Sequence, residues 1–399
     1  MTRDDQIDSP LAGLKVIELS HILAAPTCGL MLADLGAYVI KVERPPKGDS
    51  QRWDTAAEDR LPEGTSSFLQ VNRGKRSICL DLKTAAGCEI LWRLLEGADV
   101  LLENYRPGVL ARLGFDEDTI SARCPALIVC SISGFGLTGP LAEQGGFDLM
   151  AQAMSGLMSV TGEDGGSRPV KCGPPLTDIA AGLLAAIGIL AALNRRQRTG
   201  RGERLDTSLF EAGIMMTYWQ SAVAFASGRT PCAMGTAHPL YAPYQAFKTA
   251  DGWITLGTAT EKAWRCLLDL LDLAHLGDDP RFADGTARMA NRQALEALLS
   301  ARFAARPSAD WLAALADAGI PAGPLLTVNQ MHELPQTAAR NMVVEVPNGA
   351  GGRAKAIGCP IKWRDADTPR ARGAPGLGAD GPEILRELGY SEAEIAALL

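Results

Sequence analysis

Lys15 to Glu43 reads KVIELSHILAAPTCGLMLADLGAYVIKVE, and its pattern decides the fold class. Lys15-Val-Ile-Glu-Leu19 is a short β run, Pro26 to Leu35 reads as a helix stopped at Gly36, and Tyr38 to Glu43 is a second β run. Farther along, Cys88 to Leu95 is helical. Asp99 to Glu103 and Leu127 to Ile132 are strands, the last stopped by Ser133-Gly134. Strands alternating with helices predict an α/β fold in which a parallel, Rossmann-like sheet carries helices on its faces. The connection after the first strand, Ser20-His-Ile-Leu-Ala-Ala-Pro26, lacks G-x-G-x-x-G. That fingerprint supplies the tight turn and close backbone approach a dinucleotide pyrophosphate needs, so its absence argues against NAD or FAD.

The texture changes after residue 145. Gly146-Phe-Asp148, a Gly- and Ser-rich bend near 161–167, and Pro174-Pro-Leu-Thr-Asp178 lead into an apolar helix, Ile179 to Leu193. It ends in Asn194-Arg-Arg-Gln-Arg-Thr-Gly200, whose basic last turn and glycine stop suit a helix C-terminus. The apolar run has 15 residues, short of the roughly 20 that span a bilayer, so a buried helix is expected. Residues 206–227 read as another buried helix, and composition breaks at Ser227-Gly-Arg-Thr-Pro231. These features predict a large α/β domain over 1–225, a smaller α+β domain over 226–325, and a C-terminal segment over 326–399 that returns to the large domain.

The chain has 399 residues, 47% of them hydrophobic and 21% charged. That is enough apolar material for a real core, and it excludes a disordered chain. A net charge of −7 with no long basic block argues against nucleic acid as a partner. The nine cysteines are scattered without a C-x-x-C pair, and the four histidines, at 21, 238, 275 and 332, lie far apart. Neither a disulfide framework nor a metal site is expected. Residues 1–11 are polar and carry both signs of charge, unlike a secretory signal. The expectation is a soluble, cytoplasmic protein with no membrane partner.

Three groups of residues could carry chemistry. The first is the basic set Lys41, Arg44, Lys47, Arg52, Arg73, Lys75, Arg76, Lys83, Arg106 and Arg112. Several follow strand ends, where open α/β sheets place ligands, and such cations suit phosphate or diphosphate. The bland alternative is solvated surface charge. The second is Asp178, which falls at the N-cap or first turn of the apolar helix. Free N–H groups and the helix dipole there favour its ionised form, and a desolvated carboxylate can act as a covalent nucleophile. The bland alternative is an ordinary capping aspartate. The third is Gly145-Gly-Phe-Asp148 with Gln152 one turn on, for which a turn aspartate is the bland alternative.

Several segments in order along nearly the whole chain resemble class III CoA-transferases, the family of formyl-CoA and carnitine CoA-transferases. They are Leu11 to Leu19, Gly36 to Arg44 with Gly48-Asp49, Asn72 to Lys83, and Glu103-Asn-Tyr-Arg-Pro-Gly108 with Arg112-Leu-Gly. Ser133-Gly-Phe-Gly, Thr177-Asp178 and Arg198-Thr-Gly-Arg-Gly202 continue the match. Gly235-Thr-Ala-His-Pro239, Pro243 to Thr249 and Asp251-Gly252 look most like the branch acting on succinate, glutarate and hydroxymethylglutarate.

The resemblance implies a CoA-transferase that moves CoA from an acyl-CoA, succinyl-CoA by its branch, to a short dicarboxylate. Asp178 is then the nucleophile that forms an aspartyl-CoA thioester. CoA contacts fall on Arg44, Leu80 to Lys83, Asn104, Tyr105, Arg106 and Arg112. Asp148 and His238 are substrate-binding candidates, the latter for an acceptor's far carboxylate; a structural histidine is the alternative. Backbone N–H groups near Gly134, Gly136 or the helix start could stabilise an oxyanion. CoA enters as substrate, and no tightly bound cofactor or metal is implied. The family's chains form interlocked homodimers. Two departures stand out. The glycine run of formyl-CoA transferases is replaced by Gly235-Thr-Ala-His238. The Gly-His-Asp of the related α-methylacyl-CoA racemases reads Gly146-Phe147-Asp148, and phenylalanine exchanges no proton. The alternative activity, an acyl-CoA racemase or isomerase using Asp178 as acid/base, is disfavoured on that ground.

Overall fold

The computed structural model describes residues 8–53, 59–61, 64–349, 351–366 and 372–398. The chain divides into two compact units: residues 1–157, 172–216 and 335–399 form the first, and 158–171 with 217–334 the second.

In the first unit the strands are Lys15–Leu19 (β1), Tyr38–Glu43 (β2), Arg60–Leu61 (β3), Gly64–Thr65 (β4), Arg76–Cys79 (β5), Val100–Glu103 (β6), Ile128–Ser133 (β7) and Arg204–Ser208 (β8). The helices are Ala24–Asp34 (α1), Ser66–Asn72 (α2), Ala85–Glu96 (α3), Val109–Arg112 (α4), Glu117–Arg123 (α5), Asp148–Met154 (α6), Leu176–Thr199 (α7) and Leu209–Met215 (α8). Six strands pair in the order β5-β2-β1-β6-β7-β8, all parallel.

The register shows why the central strands carry apolar residues on successive positions through their middles. Val16, Val39, Val100 and Ile128 point to the face covered by α1 and α7. Their neighbours Ile17, Ile40, Leu101 and Val129 point to the face covered by α3 and α5. A parallel sheet buried on both sides needs this double apolar coverage. On α7, Ala180, Ala181, Ala185, Ala186, Ile189 and Ala192 form the buried stripe. Gly182 lets it approach α1 closely: an added Cβ would stand 2.5 Å from the Ala24 carbonyl oxygen and 2.8 Å from Thr27 Cβ.

One sequence expectation changes here, and one strand was not foreseen. Residues 206–227 are not one buried helix. Ser208 is extended and its hydroxyl caps α8 by accepting from Glu211 N–H, so the segment splits into β8, α8 and a helix over Tyr218–Ser227 (α9). Pairing with β7 overrides the helical pattern of the start, and α9 has no buried residue, with Phe225 88% exposed. Arg76–Cys79, unread as a strand, forms the sheet's edge; its arginine is held by Glu383 at 2.6 Å and Asp380 at 3.6 Å. The apolar helix ends as expected, with Arg196 and Arg198 in its last turn and Gly200 as its left-handed C-cap, and spans 24 residues in all. Among the described residues, this one helix is long and apolar enough to cross a membrane by length and composition, yet its alanine stripe is core.

The second unit holds the antiparallel strands Tyr244–Lys248 (β9), Trp253–Gly257 (β10) and Ala322–Pro324 (β11), in the order β11-β10-β9. Its core gathers Phe247, Trp264, Phe282, Phe303 and Trp311. Its borders fall at 217 and 334 rather than 226 and 325, and the bend at 158–171 joins it.

Candidate active site

The carboxyl ends of β1, β2, β5 and β6 open into a cleft of about 420 Å³. Chain order reverses between β1 and β6, which is where open α/β sheets leave room for a ligand. Arg44, Leu80, Lys83 and Tyr105 line the cleft, together with Ser20 and His21, which sequence reasoning did not single out. The signal for those two was their position directly after the first strand. His21 stacks on Tyr105, ring centroids 6.1 Å apart, and burial lowers its pKa.

The remaining expected CoA contacts are placed differently. Asn104 clips the backbone of His21, accepting from its N–H at 3.0 Å and donating to its carbonyl at 2.9 Å. Arg106 lines a neighbouring cleft of about 700 Å³ with Arg201 and Arg204. Arg112 is exposed at the end of α4 and lines neither cleft.

Burial divides the basic set. Lys41 Nζ lies 3.3 Å from Glu18 and 3.0 Å from Asp49, and Lys75 Nζ lies 2.9 Å from Glu18, all fully buried. Arg52 pairs with Glu43 at 2.7 Å, and Arg73 with Asp34. A buried cation must be paired or it costs several kcal/mol, so these four are structural and unavailable to a ligand. Arg44, Lys47 and Lys83 stay exposed.

Asp178 is the third residue of α7, half-buried in the first turn. Its pKa is pushed up to about 7, first by burial and then by the charge of Asp148. The expectation that the helix start favours ionisation is therefore outweighed by desolvation and a like charge. Asp148, the first residue of α6, accepts from Thr177 N–H at 3.0 Å, Thr177 hydroxyl at 2.8 Å and Gln152 Nε2 at 2.8 Å. Both its oxygens are thus engaged by protein donors. Gly136 N–H donates to Ser133 Oγ at 2.8 Å and is not free for an oxyanion.

His238 stands in the second unit. Its Nδ1 accepts from Leu240 N–H at 3.0 Å, which leaves the proton of the neutral ring on Nε2. Tyr241 and Tyr244 flank it at 4.9 and 5.0 Å, with Trp219 at 6.0 Å, and burial lowers its pKa.

Comparison with known proteins adds the following. The family model for CoA-transferase family III matches residues 11–381. The acetyl-CoA:oxalate CoA-transferase of Acetobacter aceti is 38% identical, covering 96% of this chain and 97% of that protein. The succinate–glutarate CoA-transferase of Agrobacterium fabrum is 38% identical, covering 95% of this chain and 96% of its own length. The crystal structure of a CAIB/BAIF family protein from Brucella suis superimposes with a TM-score of 0.84 at 42% identity, over 96% of this chain and all of that one.

Proposed function

Since the chain belongs to CoA-transferase family III, we propose that it moves CoA from succinyl-CoA to a short dicarboxylic acid through a thioester on Asp178. The observation that carries this reading is the half-buried carboxyl at the head of α7, whose raised basicity strengthens it as a nucleophile once ionised. The choice of dicarboxylate rests on the relatives that act on glutarate and oxalate.

The carboxylate of Asp178 attacks the thioester carbonyl of the donor, and the C–S bond breaks to give a mixed anhydride and CoA thiolate. The thiolate then attacks the aspartyl carbonyl; the donor acid leaves as its carboxylate and aspartyl-CoA remains. The acceptor carboxylate runs the two steps in reverse and departs as the new acyl-CoA. Anhydride and thioester lie close in energy, so the exchange needs no ATP. Splitting one acyl transfer into such steps is the gain from covalent catalysis.

The cleft at the sheet edge suits the nucleotide end of CoA. Arg44 and Lys83 supply exposed cations for phosphate, and His21 with Tyr105 supplies ring surface. Water must be kept from the anhydride. A homodimer serves that purpose, and the exposed apolar side chains of Phe147, Leu149, Leu183, Ile187 and Ile214 offer it surface.

Incubation with succinyl-CoA followed by borohydride or hydroxylamine should modify the peptide holding residue 178. Asp178→Ala should fold, bind CoA and transfer nothing. Normal turnover by that variant would end the proposal. A panel of oxalate, succinate, glutarate and monocarboxylic acids identifies the acceptor, and a preference for monocarboxylates would overturn the substrate class.

A further inference from the structure

The Gly145-Gly-Phe-Asp148 motif is built to hold one carboxylate against the head of α7. At its start, Gly146 lies directly on Gly134 at the end of β7: a Cβ on Gly134 would meet Gly146 Cα at 2.8 Å, and one on Gly146 would meet Gly134 Cα at 2.9 Å. Only a glycine pair permits that approach, and it pins the entry to α6 on the sheet. The other end of α6 is pinned on α8, where a Cβ on Gly213 would stand 2.4 Å from Ser155 Oγ and 3.3 Å from Thr177 Cγ2. Between these contacts, Asp148 receives Thr177 N–H, Thr177 Oγ–H and Gln152 Nε2–H. Gln152 in turn accepts from Cys172 N–H at 2.8 Å, tying in the segment that leads to α7.

The consequences are electrostatic as well as geometric. Thr177 N–H is a first-turn donor of α7, so Asp148 acts as a cap supplied by another helix. Three protein donors converge on this one carboxylate. Helix α7 also packs against α1, α8, β7 and β8, which carry Cys28 and Asp34, Glu211, Cys130, and Arg204 and Asp206. Of the charges on these elements and on α6, that of Asp148 is the one that adds to burial in raising the Asp178 pKa.

We propose that Asp148 is a positioning residue for Asp178, a fixed negative charge hydrogen-bonded to the first turn of α7 that holds the residue next to the nucleophile in place. The inference rests on the assignment of Asp178 as nucleophile and gives Asp148 a task other than touching substrate. It also explains why the motif precedes the nucleophile by about eight helical turns' worth of chain yet is locked to it: the tie runs through Thr177, the residue adjacent to Asp178.

The test titrates Asp178 directly in the free enzyme. Protein labelled with 13C at aspartate carboxyls is compared with Asp178→Asn to assign the signal, and its midpoint is followed with pH. Asp148→Asn keeps an oxygen for Thr177 and removes the charge. The midpoint should fall by about one unit or more toward the ordinary carboxylate range, and the acid limb of kcat/KM should fall with it. Asp148→Glu keeps the charge and should hold the midpoint near its original value. If the amide variant fails to fold, Asp148→Thr removes the charge while leaving a hydroxyl acceptor. A midpoint that does not move on loss of the charge, or that moves equally in Asp148→Glu, overturns the proposal. Because the titration needs no substrate, that failure is separate from a failure to trap an adduct at residue 178, which would sink the transferase mechanism instead.

Discussion

Replacing Asp178 by asparagine should abolish transfer and stabilise the fold, and the stabilisation should grow with pH. The carboxyl titrates near 4 in an unfolded chain and at about 7 in the folded one. Between those values the folded state binds the extra proton, so stability falls as pH rises through this window. At pH 8 the group is ionised in both states, and holding its charge in the fold costs about 4 kcal/mol at about 1.4 kcal/mol per pK unit. At pH 5 the folded group is protonated and the unfolded one mostly ionised, which leaves a cost of about 1.5 kcal/mol. Asparagine keeps the shape without the charge. Its gain over the natural protein should therefore be larger at pH 8 than at pH 5 by about 2–3 kcal/mol. Urea unfolding of both proteins at the two pH values measures this, with activity followed in the same samples. An equal gain at both pH values, or a variant less stable at pH 8, would refute the account of Asp178 as a carboxyl held charged against burial and a like charge.

Other outcomes follow from the same structure. Arg44→Ala and Lys83→Ala should each raise KM for acyl-CoA about tenfold, the loss of one charge-assisted contact, while kcat changes little; an unchanged KM would remove the sheet-edge cleft as the nucleotide site. Glu18→Gln should destabilise by about 3–5 kcal/mol because Lys41 and Lys75 lose their shared partner in the interior; calorimetry showing an unaltered transition would contradict the structural role of those lysines. Gly182→Ala should cost about 1–3 kcal/mol by forcing α7 off α1, read as a lower urea midpoint, and a neutral effect would mean that the two helices can separate freely there.

Legibility in the sequence followed the range of the interaction concerned. The strands at 15–19, 38–43, 99–103 and 127–132 were readable because a doubly buried parallel strand writes itself as a local apolar run. The edge strands at Arg76–Cys79 and Arg204–Ser208 were not, since their polar residues form strand only through neighbours already in place. Cations posed the same difficulty. Lys41 and Arg44 lie three residues apart, yet one is sealed among Glu18 and Asp49 while the other stands at a cleft. No property of the isolated residues separates them.

Sequence alone determined the α/β class, the absence of a dinucleotide turn, and a carboxylate heading an apolar helix, because each is expressed within a few consecutive residues. Tertiary structure alone decided that Asp178 is driven toward neutrality rather than held ionised. The helix dipole acts along the local chain and could be read from it, whereas burial and the charge of Asp148, 30 positions earlier in the chain, exist only once α6 and α7 are packed together.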